Sequence, residues 1–186
     1  MRKEAAQEWR ITMKKVDLHV HSTYSDGTNT PKELIKLAEN EGLSAIALTD
    51  HDTLDGIPDA LDAAKNSSVE LIPGVELSTN FNNTEVHIVG LFLDHNNKQI
   101  NDYLIYQRQS RIDRNIQMCQ KFCDIGINIT YDKMCELYPD AVITRAHFAD
   151  YLVKNKYTGD RNEAFDRYLS PGKPCFVNRH KVDPEE

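Results

Sequence analysis

Two strand-like segments near the start of the chain both end in residue types that bind metals. The first reads VDLHVH and contains His19 and His21, and the second reads SAIALTDH and ends in His51. Because His19 and His21 are two residues apart, a β-strand points both imidazoles to one face, where they can hold one cation. A helix-like segment separates the two strands, and polar residues at successive strand ends are typical of sites in α/β folds. The pattern predicts a β-loop-α-β unit with a metal site at one sheet edge.

An HxH pair alone is equally compatible with two solvated histidines, but three further residues favour the metal site. Asp26 lies in a Ser-Asp-Gly turn, Glu76 lies in LIPGVELS and His87 lies in TEVHIVG. Glu76 and His87 are single ionisable residues within apolar strand-like segments, where an unpaired charge is costly to bury. A shared cation relieves that cost. The predicted metal ligands are therefore His19, His21, Asp26, His51, Glu76 and His87.

Capping signals and apolar runs predict the elements of the first half. Thr30, Pro31 and Glu33 form the start of a helix with a capping box, and Gly42 ends it. We expect strands at 16–21, 44–49, 70–78 and 85–93, and a second helix at 57–65. The short polar link between the last two strands predicts that they are antiparallel neighbours.

After residue 94 the pattern becomes helical, with predicted helices at 100–122, 131–137, 146–154 and 162–169. We interpret this part as an inserted helical subdomain. Arg108, Arg111 and Arg114 recur every three residues in the first of these helices. A solvated basic face is the favoured interpretation of this series.

The motifs DLHVHSTYSDG, TDHDT, PGVELS and VHIVG resemble those of the PHP (polymerase and histidinol phosphatase) family of metal-dependent phosphoesterases. Within that family the chain is most similar to the branch that hydrolyses nucleoside 3′,5′-bisphosphates and trims short oligonucleotides. The resemblance implies an α/β fold, a partial distorted (β/α)7 barrel with an inserted helical subdomain. It also implies a cluster of up to three divalent metal ions (Mn, Zn or Fe) at the carboxyl ends of the strands.

The resemblance also assigns roles to individual residues. His19, His21 and Glu76 would share one metal, Asp26 and His51 would hold a second, and Glu76 would bridge to a third that His87 also binds. His51 and Asp50 are the predicted catalytic residues, and Asp50, like Asp52, is expected to orient a ligand histidine or to cap a turn. Arg145 and His147, at a predicted helix start, are expected to bind the second phosphate of a bisphosphate substrate.

Two late motifs of the family, a histidine in an Ala-His-Pro strand end and an Asp-x-His pair near the last strands, do not occur in the later part of the chain. We do not assign His147, His180 or Asp183 to those positions. The predicted organisation is an N-terminal extension at 1–14, the first part of the barrel at 15–97, a helical insertion at 98–180 and the start of a return to the barrel at 181–186. We expect these 186 residues to stop before the barrel closes, to bind metal weakly and to hydrolyse little.

The composition sets limits on partners and compartment. The chain has 22 Lys and Arg against 29 Asp and Glu, a net charge of −7, which argues against an extended nucleic-acid surface. Metal ions would then attract a phosphate locally. The four cysteines include no CxxC pair, and Cys119 and Cys123 are one helical turn apart, as small apolar residues of one helix face would be. No segment resembles a signal peptide or a membrane span, and we expect a cytoplasmic protein.

The expected function is metal-assisted hydrolysis of phosphate esters of a small phosphorylated substrate, most simply a nucleotide. A phosphatase of the histidinol-phosphate type is an alternative with the same metal cluster and a different pocket. A PHP module without catalysis, which stabilises or regulates a larger protein, is an alternative of another class. Replacement of the metal-binding residues would indicate such a non-catalytic module, but the six predicted ligands are all present.

Overall fold

A computed structural model describes residues 14–82 and 84–179 of the chain, which form a four-stranded sheet followed by helices. The sheet contains β1 (Lys15–Val20), β2 (Leu43–Leu48), β3 (Glu70–Phe81) and β4 (Thr84–Leu91) in that order. β1, β2 and β3 are parallel, and β3 and β4 form the predicted antiparallel pair. The predicted N-terminal extension, except for Lys14, and the predicted return at 181–186 lie outside the described residues, as do His180 and Asp183.

Two short helices cover one side of the sheet. Helix α1 (Pro31–Asn40) begins with the predicted capping box, in which Thr30 and Glu33 bond each other's backbone N–H groups. It ends at Glu41, after which Gly42 has a φ of 69°, the left-handed conformation that glycine adopts readily. Helix α2 spans Ile57–Ala64. A first apolar core lies between these helices and the sheet, and it includes Leu104 of the next helix.

The remaining elements among the described residues are helical. They are α3 (Lys98–Asp124), α4 (Tyr131–Leu137), α5 (Arg145–Lys154), α6 (Arg161–Ala164) and a π-helical turn at Phe165–Leu169. The last predicted helix is thus divided, because Ser170 N–H bonds to the carbonyl of Phe165 five residues before it. A second apolar core lies among these helices and contains Met118, Cys119 and Phe122 of α3. Helix α3 therefore contributes to both cores.

The expectation that Cys119 and Cys123 are packed on one helix face holds only for Cys119. Cys119 is buried in the second core as a free thiol, whereas Cys123, on the next turn, is exposed. No disulfide joins any of the four cysteines, all of which lie in the described part of the chain. None of the helices built from residues 14–82 and 84–179 is long and apolar enough to cross a membrane.

The loop after β1 folds back closely on the end of that strand. Gly27 N–H donates to the carbonyl of Ser22, and a Cβ atom at Gly27 would lie 2.1 Å from the carbonyl oxygen of His21. No side chain fits at that distance, so Gly27 fixes the path of the loop that carries Asp26.

We expect Gly27→Ala to destabilise the protein by about 1–3 kcal/mol, because the added methyl group forces the loop away from β1. The measurement is the free energy of unfolding in urea. Gly90→Ala is the matched control, since a Cβ there would lie 3.5 Å from Leu93 Cδ1, an ordinary contact. Equal unfolding free energies for the two variants would contradict the close approach at Gly27.

Candidate metal centre

A single carboxylate, that of Glu76, lies among four imidazoles at the carboxyl ends of the parallel strands. Its Oε2 is 3.0 Å from Nε2 of His19, 2.9 Å from Nε2 of His21 and 3.3 Å from Nδ1 of His51. Its Oε1 is 2.6 Å from Nδ1 of His87. The Glu76 side chain is buried, so contacts with these nitrogen atoms replace its contacts with water.

Strand geometry explains how these side chains meet. His19 lies in β1 and His21 directly follows it, while His51 follows β2 and forms a bridge to Glu76 in β3. In the antiparallel pair His87 is opposite Ser78, whose side chain is on the same face as that of Glu76, two residues earlier. His87 is thus a diagonal neighbour of Glu76 and within reach of its carboxylate.

Asp26 completes the cluster from the opposite side. Its Oδ1 is 3.4 Å from Nδ1 of His21 and its Oδ2 is 3.6 Å from Nε2 of His51. The hydroxyl of Thr144, the residue before α5, donates to Asp26 Oδ2 at 3.0 Å. The structure thus brings all six predicted ligands together in three overlapping groups, each with its donor atoms within 4.8 Å of one another: His19, His21 and Glu76; His21, Asp26 and His51; His51, Glu76 and His87.

The charges of the cluster are strongly coupled. Burial opposes protonation of His21, but its contacts with Asp26 and Glu76 raise its pKa to about 9. Contacts with Glu76 and Glu85 raise the pKa of His87 to about 9. Burial alone would raise the pKa of Glu76, yet the imidazoles of His21 and His87 hold it well below its usual range. Without a metal, protonated imidazoles therefore neutralise the carboxylates.

His51 shows that the donor set fits a cation. Its Nδ1 is buried and makes no hydrogen bond within the described structure, although Glu76 Oε2 lies near it. Burial lowers the pKa of His51 to about 4, so the ring is neutral at pH 7 and offers a lone pair. A cation shared between His51 and Glu76 would satisfy this nitrogen. Imidazole and carboxylate donors are a set that Mn, Zn and Fe accept.

Asp50 lies behind the cluster, not in it. Its carboxylate accepts hydrogen bonds from Ser22 N–H at 2.7 Å and from the hydroxyls of Ser22 and Ser25, each at 2.6 Å. Burial raises the pKa of Asp50, although these hydrogen bonds favour the charged form. The Ser25 hydroxyl also lies 3.2 Å from Nδ1 of His21. Asp50 therefore acts on His21 through Ser25, as a positioning residue.

Asp52 points away from the cluster to a pair of buried arginines. Its Oδ2 accepts hydrogen bonds from Arg111 and, at 3.2 Å, from Arg179, while its Oδ1 accepts from Ser78 N–H at 3.0 Å. Burial alone would raise the pKa of Asp52, but Arg111 and Arg179 lower it to about 2. The φ of Asp52 is 53°, so the chain turns sharply between His51 and this ion pair.

A cavity of about 130 Å³ opens beside the metal ligands. Part of its wall is formed by ligands of the cluster and part by guanidinium groups from the helical half of the chain. The ligands are Asp26, His51 and His87, and the guanidinium groups are those of Arg111, Arg114, Arg145 and Arg179.

The two predicted phosphate-binding residues differ in position. Arg145, the first residue of α5, lines the cavity and donates to Glu85 Oε2 at 2.8 Å. His147 is not in the cavity wall, and its Nδ1 accepts a hydrogen bond from Thr144 N–H at 2.9 Å. The prediction that His147 contacts substrate is not supported by this cavity, because the ring caps the helix and packs against Tyr138.

The prediction of a solvated basic face on α3 is also wrong for two of its three arginines. Arg111 and Arg114 are 7% and 6% exposed, whereas Arg108 remains near the surface with Asp55. A signal for this existed in the sequence, since both residues lie on the stripe of α3 that begins with Leu104 and ends with Phe122. Arg179, another residue of the cavity wall, carries no such signal, because it lies in irregular structure.

Glu76→Gln should lower metal affinity by roughly tenfold or more, because Glu76 belongs to two of the three donor groups and only its charged form is a strong ligand. The measurement is the metal content after equilibrium dialysis against Mn²⁺ or Zn²⁺. Glu70→Gln, an exposed position at the start of the same strand, is the control. Equal metal content in the Glu76→Gln and Glu70→Gln proteins would argue against this centre.

Asp52→Asn should destabilise the protein by about 3–5 kcal/mol, because it leaves Arg111 and Arg179 buried without a carboxylate. Since the pKa of Asp52 is about 2 instead of the usual 3.8, this stabilisation is present above pH ~4 and is lost as the pH falls through 2. Urea unfolding at several pH values measures the difference between the two proteins. Asp62→Asn, which removes an exposed pair with Lys65, should change stability by less than about 0.5 kcal/mol. A similarly small change for Asp52→Asn would contradict the role of the ion pair.

Two curated proteins and one solved structure are similar to the chain over nearly its whole length. It is 42% identical over 170 residues to a 5′-3′ exoribonuclease of Haemophilus influenzae, covering 91% of the chain and 62% of that protein. It is 36% identical over 177 residues to a 3′,5′-nucleoside bisphosphate phosphatase of Chromobacterium violaceum, covering 94% and 61%. An amidohydrolase structure from C. violaceum, with bound sulfate and no metal, is 35% identical with a TM-score of 0.85, covering 91% and 60%.

The chain thus spans about three fifths of the length of these relatives. The PHP domain family matches residues 17–173, which include all six residues of the metal cluster. The chain belongs to the PHP family.

Proposed function

We propose that this protein is a metal-dependent phosphoesterase that hydrolyses phosphate esters of small nucleotides, namely 3′,5′-bisphosphates or short oligonucleotides. The observation that carries the proposal is the position of the metal cluster, which shares one cavity with four arginines. Relatives named as a bisphosphate phosphatase and an exoribonuclease support the substrate class. The cavity also explains how a chain with a net charge of −7 attracts an anion.

The three donor groups can hold up to three divalent ions, of Mn, Zn or Fe. When bound there, such ions supply Lewis acidity toward phosphate oxygens and a source of hydroxide near neutral pH. His51 belongs to two of the groups and contributes as a neutral ligand. Asp50 holds the loop of Ser22 and Ser25 and thereby orients His21. Arg111, fixed by Asp52, and Arg145 attract and orient the phosphate beside the ions.

We also propose that residues 15–97 form the first part of a (β/α)7 barrel and that residues 98–180 form a helical insertion. The separate apolar cores of the sheet and of the helices support this division. In the proposed arrangement the insertion supplies most of the arginines of the cavity and the barrel supplies the metal ligands. Substrate would then bind between the two parts.

The cavity distinguishes this proposal from its two alternatives. Histidinol phosphate carries a cationic amine, which the arginines of the cavity would repel, whereas a second phosphate would be attracted. A PHP module without catalysis has no need for intact and pre-assembled donor groups, yet all six side chains are present and in contact.

The test is release of inorganic phosphate from adenosine 3′,5′-bisphosphate, AMP and histidinol phosphate by protein loaded with Mn²⁺. The protein is used in excess over substrate, so that a slow reaction is also detected. We expect metal-dependent release that is fastest with the bisphosphate and is absent in Glu76→Gln, since that variant loses two donor groups.

Fastest release from histidinol phosphate would favour the first alternative. No metal-dependent release from any of the three substrates would favour the non-catalytic module. Rapid multiple turnover would instead contradict our expectation of a slow enzyme.

A further inference from the structure

Arg114 is a buried cation without a counterion among residues 14–82 and 84–179. It is 6% exposed, and its Nε and Nη2 atoms are buried and make no hydrogen bond within the described structure. It nevertheless lines the cavity that His51 and His87 also line. A guanidinium is always charged in proteins, and burial of an unpaired charge is costly. An anion bound at this position would offset that cost.

The neighbouring arginines do have carboxylate partners. Arg111 and Arg179 share the carboxylate of Asp52, and Arg145 donates to Glu85, which also contacts His87. Glu85 raises the pKa of Arg114, but this is the weakest of the effects on that pKa. Burial, followed by the charges of Arg111 and Arg179, lowers it. The cavity wall thus includes three buried arginines, Arg111, Arg114 and Arg179, and the buried carboxylate of Asp52 pairs with only two of them among the described residues.

The buried N–H groups that have no partner among the described residues indicate which kind of anion fits this position. Arg114 Nε and Nη2 are adjacent N–H groups of one planar fork, and Arg111 Nε is a further buried donor without a partner. Such a fork matches two oxygens of a phosphate group, and hydrogen bonds between charged partners are the strong ones. Arg145 is less available, because Glu85 occupies its guanidinium and the ring of Phe176 lies 5.7 Å from it.

We propose that Arg114 binds the second, non-reacting phosphate of the substrate and determines the preference for bisphosphates over monophosphates. This inference rests on the proposed function and replaces Arg145 with Arg114 as the main contact of that phosphate. Divalent ions held by the six ligand residues would bind the reacting phosphate, and the surplus positive charge of Arg114 beside Arg111 and Arg179 holds the other phosphate. Asp52 acts as a positioning residue, since it fixes Arg111 and Arg179 next to Arg114.

The first test measures anion binding without metal, so that it does not depend on hydrolysis. The chain is treated with a chelator, and binding of inorganic phosphate is followed by calorimetry and by the rise in unfolding temperature. We expect Arg114→Gln to weaken phosphate binding by roughly tenfold or more, because it removes the charge and the fork. Arg108→Gln, on the same helix and outside this cavity, should retain most of the binding.

A second variant shows whether a loss of phosphate binding is caused by misfolding. Arg114→Lys keeps the charge without the planar fork, and we expect phosphate affinity between those of the wild-type and Arg114→Gln proteins. Without phosphate, Arg114→Gln should unfold at a temperature no lower than the wild-type protein, because the variant removes an unpaired buried charge. Cooperative unfolding of each variant shows that it is folded.

The second test measures preference with Mn²⁺ bound. The ratio of kcat/KM for adenosine 3′,5′-bisphosphate to that for AMP should fall at least tenfold in Arg114→Gln and stay unchanged in Arg108→Gln. Wild-type phosphate binding by a folded Arg114→Gln protein would overturn the inference, as would selective loss in Arg145→Gln. Arg114-dependent binding of phosphate in a protein without phosphatase activity would support this anion site while rejecting the proposed function.

Discussion

The contact of one carboxylate with four imidazoles determines how the strands of this protein can be arranged. Glu76, in β3, contacts side chains from β1, from the turn after β2 and from β4, so each strand of the described sheet, or the turn that follows it, contributes to one centre. A strand shifted by one residue would turn its ligand to the other face. The sheet register and the metal centre therefore constrain each other, and Asp26 is held in place from outside by Thr144.

The turn after β2 connects this centre to the helices. His51 and Asp52 are consecutive, and the left-handed conformation at Asp52 directs one side chain toward the metal ligands and the next toward Arg111 and Arg179. The same short segment thus places a neutral imidazole and a carboxylate with a pKa near 2 on opposite sides of the backbone. The ion pairs of Asp52 with Arg111 and Arg179 thus connect the sheet to the helical part of the chain beside the cavity.

Local patterns were sufficient to predict most of the sheet and to single out the six side chains that the structure brings together in three possible metal-binding groups. The capping box at Thr30, the strand endings at His21 and His51, and single charges in apolar strands depend on neighbouring residues in the sequence. The resemblance to the PHP family then divided the ligands among three metals. The three donor groups found in the structure agree with that division in outline, although His21 lies close to Asp26 as well as to Glu76.

The ion pairs of the arginines could not be predicted in the same way, because they join distant parts of the chain. The stripe of α3 indicates that Arg111 is buried, but no local pattern encodes its pairing with Asp52, 59 residues earlier. The capping role of His147 was missed as well. At the third position of α5, where glutamate usually completes a capping box, its ring does so instead and is not part of the cavity wall.

Helix α3 has 27 residues and is about 40 Å long, so one rigid element carries Leu104 into the core of the sheet and Phe122 into the core of the helices. Its cavity-facing arginines lie between these two anchors. If either core unfolds, α3 loses its packing at one end, and the other core loses part of its support. The helix consequently couples the folding of the two cores. The shape of the cavity between them therefore depends on both cores remaining folded.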